Sequence, residues 1–273
     1  MILLVPMQNT ASKTANDRRQ RVQSAETGMS ILKTLTRLGG GASLTAIAHA
    51  LGENASKVHR YLSSFVQEGF VAQNPLTHHY HLSTESARLG LAALRQCDPV
   101  RLGEGALLRM RESLELTSFI AVMGNMGPTV LRIEEPTLPV TVNIRAGSVM
   151  PILWSATGQV FLAFTDDANI RRQAEREYST GSDKQRAIMA KLDPIAQLCQ
   201  QVRDQGCSIV DGTLLRGISA VSAPIFDANN HVTAVLTVLG ASNGFDARPG
   251  GKVCPEVIRE AASISAAMGY IPR

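Results

Sequence analysis

Three sets of residues in this 273-residue chain are of types that could do chemistry. Gly240-Ala241-Ser242-Asn243-Gly244 fits G-x-S-x-G, the turn that presents a nucleophilic serine. It follows a strand-like run, as such an elbow must. The next segment, Phe245 to Gly251, contains Gly250 and Gly251 after Arg248 and cannot supply the helix that the elbow needs. The last histidine, His231, also precedes the serine, whereas the α/β-hydrolase order places it after. The motif therefore reads as a turn. His78, His79 and His81 are close enough to suggest a metal site, but on a strand His79 and His81 share one face and His78 faces away. No cysteine or acid nearby completes a ligand set. Cys97, Cys199, Cys207 and Cys254 form no C-x-x-C pair. There is no H-E-x-x-H, no P-loop and no G-x-G-x-x-G. The residues support neither catalysis nor a metal, and no cofactor is expected.

A fourth set suits a different task. The run from Ala55 to about Glu68 reads as a helix whose Val58, Leu62, Phe65 and Val66 form an apolar stripe. Its other face carries Ser56, Lys57, Arg60, Ser63, Ser64 and Gln67, with His59 at the flank and no acid. Short hydroxyls permit close approach to a DNA groove, cations meet phosphates, and an arginine can fork onto guanine. On an isolated helix, such a face reads first as ordinary solvated surface. The neighbouring elements decide against that here.

Charge supports the same division of labour. Residues 1–98 carry 10 Lys and Arg against 6 Asp and Glu, while residues 99–273 carry 17 of each. The whole excess of +4 thus lies in the first third, with five of the six histidines. That distribution suits an anion-binding head joined to a neutral second part. With 44% hydrophobic and 18% charged residues, the chain is long enough for a large core without disulfides or metals. The apolar start, Met1 to Met7, lacks a basic leader region and is broken by Pro6, and no run of about 18 apolar residues follows. Scattered thiols and the lack of a membrane span imply a cytoplasmic protein.

The elements that must position the helix can be read from period and punctuation. Residues 1–23 are expected to include a flexible basic arm with Lys13, Arg18, Arg19 and Arg21; a mere disordered leader is the competing reading. Ser24 is expected to cap a helix with Met29, Ile31, Leu32, Leu35 and Leu38 on one face, stopped by Gly39-Gly40-Gly41. Ser43 caps a second helix with Leu44, Ile47, Ala48 and Leu51 inward, and Thr45 lies near its start. Asn54 caps the third. Strands at Phe70–Ala72 and Tyr80–Leu82 flank the turn Asn74-Pro75-Leu76-Thr77. Three helices and a hairpin over residues 24–83 describe a winged helix-turn-helix. A linker helix over 84–98 ends at Cys97-Asp98-Pro99, with the second domain occupying 99–273.

In that second domain the reading is α+β. Strands are expected at Phe119–Met123, Thr129–Glu134, Val140–Arg145, Ser208–Val210, Ile218–Phe226 and Val232–Leu239. Turns are expected at Gly127-Pro128 and Asn229-Asn230. Helices are expected at Pro99 to Leu116, Ser155–Phe164, Ala168–Tyr178, Asp183–Gln205 and Val253–Met268. Strands arriving in adjacent pairs favour an antiparallel sheet with helices packed on it.

These residues resemble the IclR family of bacterial transcription regulators. The likeness is carried by Ser43-Leu44-Thr45-Ala46-Ile47-Ala48, by Ser56 to Leu62, and by Glu68-Gly69-Phe70-Val71. It continues in Gly147 to Ile152 followed by Ser155 to Phe164, in Gly217 to Ile225, and in Ile264 to Tyr270. The N-terminal stretches taken as one piece, and Gly147 to Phe164 as another, make four pieces in order over about residues 24–270. The resemblance implies a GAF-like effector domain, a homodimer or homotetramer, and a palindromic operator of double-stranded DNA. It implies DNA contacts from Ser56, Lys57, His59 and Arg60, to which the wheel and the wing add Ser43, Thr45, Ser63, Ser64 and His79. It also implies an effector pocket around Ser155, Ala156, Thr157, Asp211, Ala220, Thr237 and Leu239. Met150 and Trp154 either add apolar wall to it or belong to the core; both readings stand. The family usually has lysine where this chain has Gln159, an acid near Thr213-Leu214 and a small polar residue near Leu239. These departures suggest an effector with a substantial apolar or aromatic part rather than a very small dianion.

The function expected is a ligand-responsive transcription regulator of a catabolic operon, taking a small organic acid or aromatic metabolite. An enzyme of hydrolase type with its pocket in the second domain is the alternative; it would need a nucleophile and base that the sequence does not offer. A ligand-free architectural DNA binder would not need so large a second domain.

Overall fold

The computed structural model describes residues 22–39, 41–136, 143–189, 193–248 and 250–272. The basic-arm residues before Val22 lie outside them. The chain divides into two compact units between Ala93 and Leu94, inside the helix read as a linker.

The first unit contains α1 (Gln23–Arg37), α2 (Leu44–Leu51), α3 (Ala55–Gln67), β1 (Val71–Gln73), β2 (Tyr80–Leu82) and nearly all of α4 (Thr84–Leu94). Ile31, Leu35, Ile47, Val58 and Leu62 are wholly buried and hold the three helices together. Ser43 caps α2 by accepting from the Ala46 N–H, and Asn54 caps α3 by accepting from the Ser56 N–H. Gly52 ends α2 in the left-handed region, at φ +65°. β1 and β2 pair antiparallel with Ala72 opposite His81, one residue later on the first strand than expected.

Three details of α1 and α3 differ from the sequence reading. Ser24 does not cap α1: the Glu26 N–H already bonds the Val22 carbonyl, so the helical ladder begins before the serine. Met29 and Leu38 are exposed, because the inward stripe runs through Gly28, Ile31, Thr34 and Leu35. Gly28 belongs to the stripe for a steric reason, since a Cβ there would lie 3.1 Å from the Phe65 ring. Val66 of α3 is exposed as well, leaving Val58 and Leu62 as its buried pair.

The second unit holds α5 (Pro99–Leu114), β3 (Thr117–Gly124), β4 (Gly127–Glu134), α6 (Ala156–Phe164), α7 (Ala168–Thr180), α8 (Asp183–Ile188), α9 (Pro194–Gln205), β5 (Ser208–Asp211), β6 (Ile218–Phe226), β7 (Val232–Ala241) and α10 (Val253–Ala267). The strands form one antiparallel sheet in the order β4-β3-β7-β6-β5. Strand alternation separates two cores. Ile120, Val221, Ala223, Leu236 and Val238 point toward α5 and α10. Phe119, Ala121, Val235 and Leu239 point the other way, where Ile152, Val160, Phe161 and Met150 meet them.

Here too the structure corrects particulars. The β3–β4 turn is Asn125-Met126, and Gly127 and Pro128 already belong to β4, paired with Gly124 and Met123. The expected helix Asp183–Gln205 is two helices. Proline cannot continue a helix but suits its first turn, and Pro194 opens α9 behind Asp193, whose φ is +50°. The expected strand Val140–Arg145 falls partly outside the described residues, and 143–145 are not in a strand. Residues 147–150 instead run beside β4, with the Val130 N–H donating to the Ser148 carbonyl and the Met150 N–H to that of Pro128.

Candidate DNA-binding face and effector pocket

The outward face of α3 is built by its cap and its stripe. With Val58 and Leu62 inward, Ser56, His59, Arg60, Ser63 and Ser64 are all exposed. The hydroxyls of Ser63 and Ser64 donate to the carbonyls of His59 and Arg60, so each offers its lone pairs outward. Arg60 makes no ion pair among the described residues. Lys57 differs: its Nζ lies 2.7 Å from Glu53 Oε1, both side chains being half-buried. The helix itself carries no acid, but the turn before it supplies one. Thr45 is exposed on α2, whereas the Ser43 side chain is occupied as a cap. In the wing, Asn74 Oδ1 accepts from the N–H groups of Leu76 and Thr77, and His78 takes a positive φ of +57°. His78 and His79 are exposed, and no cluster of metal-ligating groups occurs among the described residues.

The second site begins at the turn before α6. Glu177 of α7 accepts from the N–H groups of Ile152 and Leu153, which fixes that turn. Ser155 caps α6 by accepting from the Gly158 N–H at 2.9 Å. Gly158 is obligatory, because a Cβ would collide with the carbonyl oxygens of Pro151 and Ile152. The first N–H groups of a helix have no partner within it, and Ser155 takes only one of them. Ser155, Ala156 and Thr157, at this end of the helix, line a cavity of about 30 Å³, room for little more than a water molecule.

That cavity brings together Met150, Ser155, Ala156, Thr157, Ala220, Thr237 and Leu239. The Thr157 and Thr237 hydroxyls are 2.9 Å apart, and Thr237 is 2.7 Å from Ser222, giving a buried row of three hydroxyls. The rest of the wall is apolar. Phe119, Ile144, Val210, Leu214, Leu215 and Ile218 complete it, and the sequence reading did not name them. Strand register was the available signal for Phe119, which lies directly opposite Thr237. Leu214 and Leu215 come from the strap 212–217, flanked by Gly212 at φ +60° and Gly217 at φ +76°. Anything larger than water needs some of these lining side chains to move.

Two expected pocket residues lie elsewhere. Trp154 is nearly buried, and its ring packs where a Cβ on Gly181 would stand. Asp211 projects from the end of β5, and its Oδ1 accepts from Ser219 and Ser242, each at 2.7 Å. Those two hydrogen bonds hold the carboxyl below its ordinary value. Trp154 and Asp211 instead border a neighbouring depression of about 330 Å³ with Gln159 and Leu198. Gln159 is committed to structure: it donates to the Leu153 carbonyl and accepts from Ser208 at 2.6 Å. Ser242, the serine of the G-x-S-x-G match, is in the turn following β7 and has the Asp211 carboxylate and the Ser219 hydroxyl as neighbours rather than a histidine.

The second unit matches the model of the bacterial transcriptional regulator IclR C-terminal domain over residues 107–266, and residues 24–75 match the IclR helix-turn-helix domain. The HTH-type transcriptional regulator XynR of Escherichia coli (strain K12) is 22% identical over 251 residues, covering 91% of this chain and 98% of its own length. The Pca regulon regulatory protein of Pseudomonas putida is 25% identical over 217 residues, covering 77% of this chain and 72% of its own. Among solved structures, HmgR of Pseudomonas aeruginosa superimposes with a TM-score of 0.82 at 38% identity, covering 91% of this chain and 99% of that one. The families and relatives are transcription regulators, not enzymes. No described helix is long and apolar enough to cross a membrane. With both halves matched in order, this chain belongs to the IclR family of bacterial transcriptional regulators, with an N-terminal DNA-binding helix-turn-helix and a C-terminal α+β domain.

Proposed function

We propose that the protein controls a catabolic operon in the cytoplasm, binds a palindromic operator as a homodimer or homotetramer, and takes as effector an organic acid with a substantial apolar or aromatic part. The second domain, GAF-like in this reading, is the sensor. The observation that carries the effector class is the cavity's division into one polar end and otherwise apolar walls. The start of α6 and the Thr157–Thr237–Ser222 hydroxyls suit a carboxylate. Phe119, Met150, Leu214, Ile218 and Leu239 suit the remainder. No cation lines the cavity among the described residues, which fits a single carboxylate better than a dianion.

Operator contacts are assigned to Ser56, His59, Arg60, Ser63, Ser64 and Thr45, with His79 of the wing near phosphates. Lys57 contributes in proportion to its release from Glu53. Recognition helices of a dimer must sit about one DNA turn apart, roughly 34 Å, or a multiple of it. Twin α4 helices suit the pairing, since none of their residues is buried and Leu89, Leu91 and Leu94 are exposed. A ligand acts only by binding the DNA-competent and incompetent arrangements unequally. Strap displacement on filling the cavity would give such a difference.

The test has two arms. Footprinting on the DNA upstream of the protein's own gene should protect an inverted repeat; absence of any protected site would remove the operator assignment. Calorimetry against a panel of aromatic and short aliphatic carboxylates should give tight binding to aromatic members. Tight binding only by a small aliphatic dianion would overturn the effector class.

A further inference from the structure

Cys207 and Cys254 are far apart in sequence yet have their sulfurs 3.0 Å apart. Cys207 lies between the end of α9 and the start of β5, and Cys254 is in the first turn of α10. Both are buried in the core between the sheet and α10. The other two thiols are separate: Cys199 is buried against the Leu162 carbonyl, and Cys97 is partly exposed. A disulfide needs sulfurs about 2.05 Å apart, so this pair is about 1 Å from bonding distance.

We propose that Cys207 and Cys254 form a paired modification site, which a small two-electron oxidant of the hydroperoxide class closes to a reversible disulfide. The bond would tie the start of β5 to the first turn of α10. With hydrogen peroxide the balance is simple. One thiolate attacks a peroxide oxygen, the O–O bond breaks, and hydroxide leaves, forming a sulfenic acid. The second thiol attacks that sulfur, an S–S bond forms, and water leaves. Two thiols and one peroxide thus give one disulfide and two waters.

Burial sets the rate rather than forbidding the reaction. It pushes the Cys207 thiol up to about 12, with the hydrogen bond to Cys254 adding to the effect. Cys207 therefore keeps its proton in the closed form, and oxidation runs through local opening. The segment leading into α10 offers a route: it contains Gly244, Gly250 and Gly251 and belongs to no regular element. The closed loop contains β5, β6 and β7, and these strands carry Val210, Ala220, Thr237 and Leu239 of the cavity wall. Closure would therefore stiffen the frame of the cavity without touching its lining.

The test treats the full chain with hydrogen peroxide and maps peptides without reduction. Two of the four thiols should disappear, a Cys207–Cys254 cross-linked peptide should appear, and dithiothreitol should restore both thiols. The melting temperature of the oxidised protein should rise by about 5–15 °C, as expected for a cross-link closing a loop of this length. Cys207→Ser and Cys254→Ser should each abolish the cross-linked peptide. Should either variant fail to fold, mapping of the unsubstituted chain decides alone. Persistence of all four thiols, linkage through Cys97 or Cys199, or sulfinic and sulfonic products without the cross-link would each overturn the proposal.

Discussion

Thr157 and Thr237 join helix α6 to strand β7, hydroxyl to hydroxyl at 2.9 Å, at the polar end of the cavity. Ser222 extends the row. Three hydroxyls carry three protons, and two bonds between them use two. No described residue accepts the third. If the row is polarised toward α6, the Thr157 proton is left for a ligand, at a helix start whose first N–H groups lack partners within the helix. A carboxylate there would accept that hydrogen bond.

Thr237→Val keeps the shape and removes the middle hydroxyl. It should lower affinity for the best carboxylate of the calorimetric panel by roughly 5–150-fold, the effect of about 1–3 kcal/mol for a buried group left unpaired. A thermal melt should confirm that the variant folds. Unchanged affinity in a folded variant would detach the hydroxyl row from the ligand.

Gly158→Ala tests the frame rather than the ligand. The added methyl would meet the carbonyl oxygens of Pro151 and Ile152, which are backbone atoms and cannot swing aside. The turn is also held by Glu177, so it has little freedom to yield. A loss of more than about 3 kcal/mol is expected in urea unfolding, in the range of strained or overpacked cores. A near-neutral result would mean that α6 can shift its first turn.

Arg60 and Lys57 should separate in DNA binding. Arg60 is exposed and without an ion pair among the described residues, so Arg60→Ala should weaken operator binding by about 1–3 kcal/mol if it forks onto a base. Lys57 is held by Glu53, and a solvent-accessible pair of this kind, though half-buried, is worth only about 0–1 kcal/mol. Glu53→Gln should therefore free Lys57 and steepen the salt dependence of binding by up to about one phosphate's worth. Gel-shift titrations at several salt concentrations measure both. An unchanged salt slope in Glu53→Gln would mean that the Glu53 pair does not restrain Lys57.

What the sequence showed and what it hid divides along a physical line. Strand Ile218–Phe226 was legible because its neighbours alternate between two cores. The outward face of α3 was legible because cap, stripe and stop all lie within one helix. Glu53 was missed because it stands just before the cap of that helix, outside its wheel. Adjacency to Ser155 said nothing about which depression Trp154 lines, because that depends on the tertiary placement of α7 and α9. The Thr157–Thr237 contact needs α6 placed over β7, which local pattern does not contain. Leu214 and Leu215 sit in a strap without regular period, so no wheel or alternation could mark them as wall.

Glu260 predicts a pH dependence of stability. It is nearly buried on α10, where burial pushes its carboxyl up, but hydrogen bonds and charge from Arg109 and Arg259 outweigh burial and bring it below its usual value. Arg109 Nη2 lies 2.6 Å from Glu260 Oε2. A carboxyl depressed in the folded state contributes stability that is whole above its unfolded value near 4.5 and is lost as pH falls through the lower folded value. Glu260→Gln should be destabilised relative to the parent at pH 7, and the gap should narrow progressively below pH 4.5. Urea midpoints across that range check it. A gap that stays constant with pH would show that Glu260 acts through packing alone.

The linker helix gives the last prediction. Leu89 is 64% exposed, Leu91 56% and Leu94 44%, and α4 buries no residue of its own. An apolar helix left in water does not persist by propensity alone, because a helix this short is marginal without packing. A second copy of α4 would supply that packing and, in the same step, fix the distance between two recognition helices. Leu91→Asp adds a charge to the exposed side and should shift sedimentation toward monomer. It should also reduce affinity for the inverted repeat far more than for a single half-site, because only the repeat needs both heads at once. A variant that remains fully dimeric, with both affinities intact, would place the subunit contact on other elements.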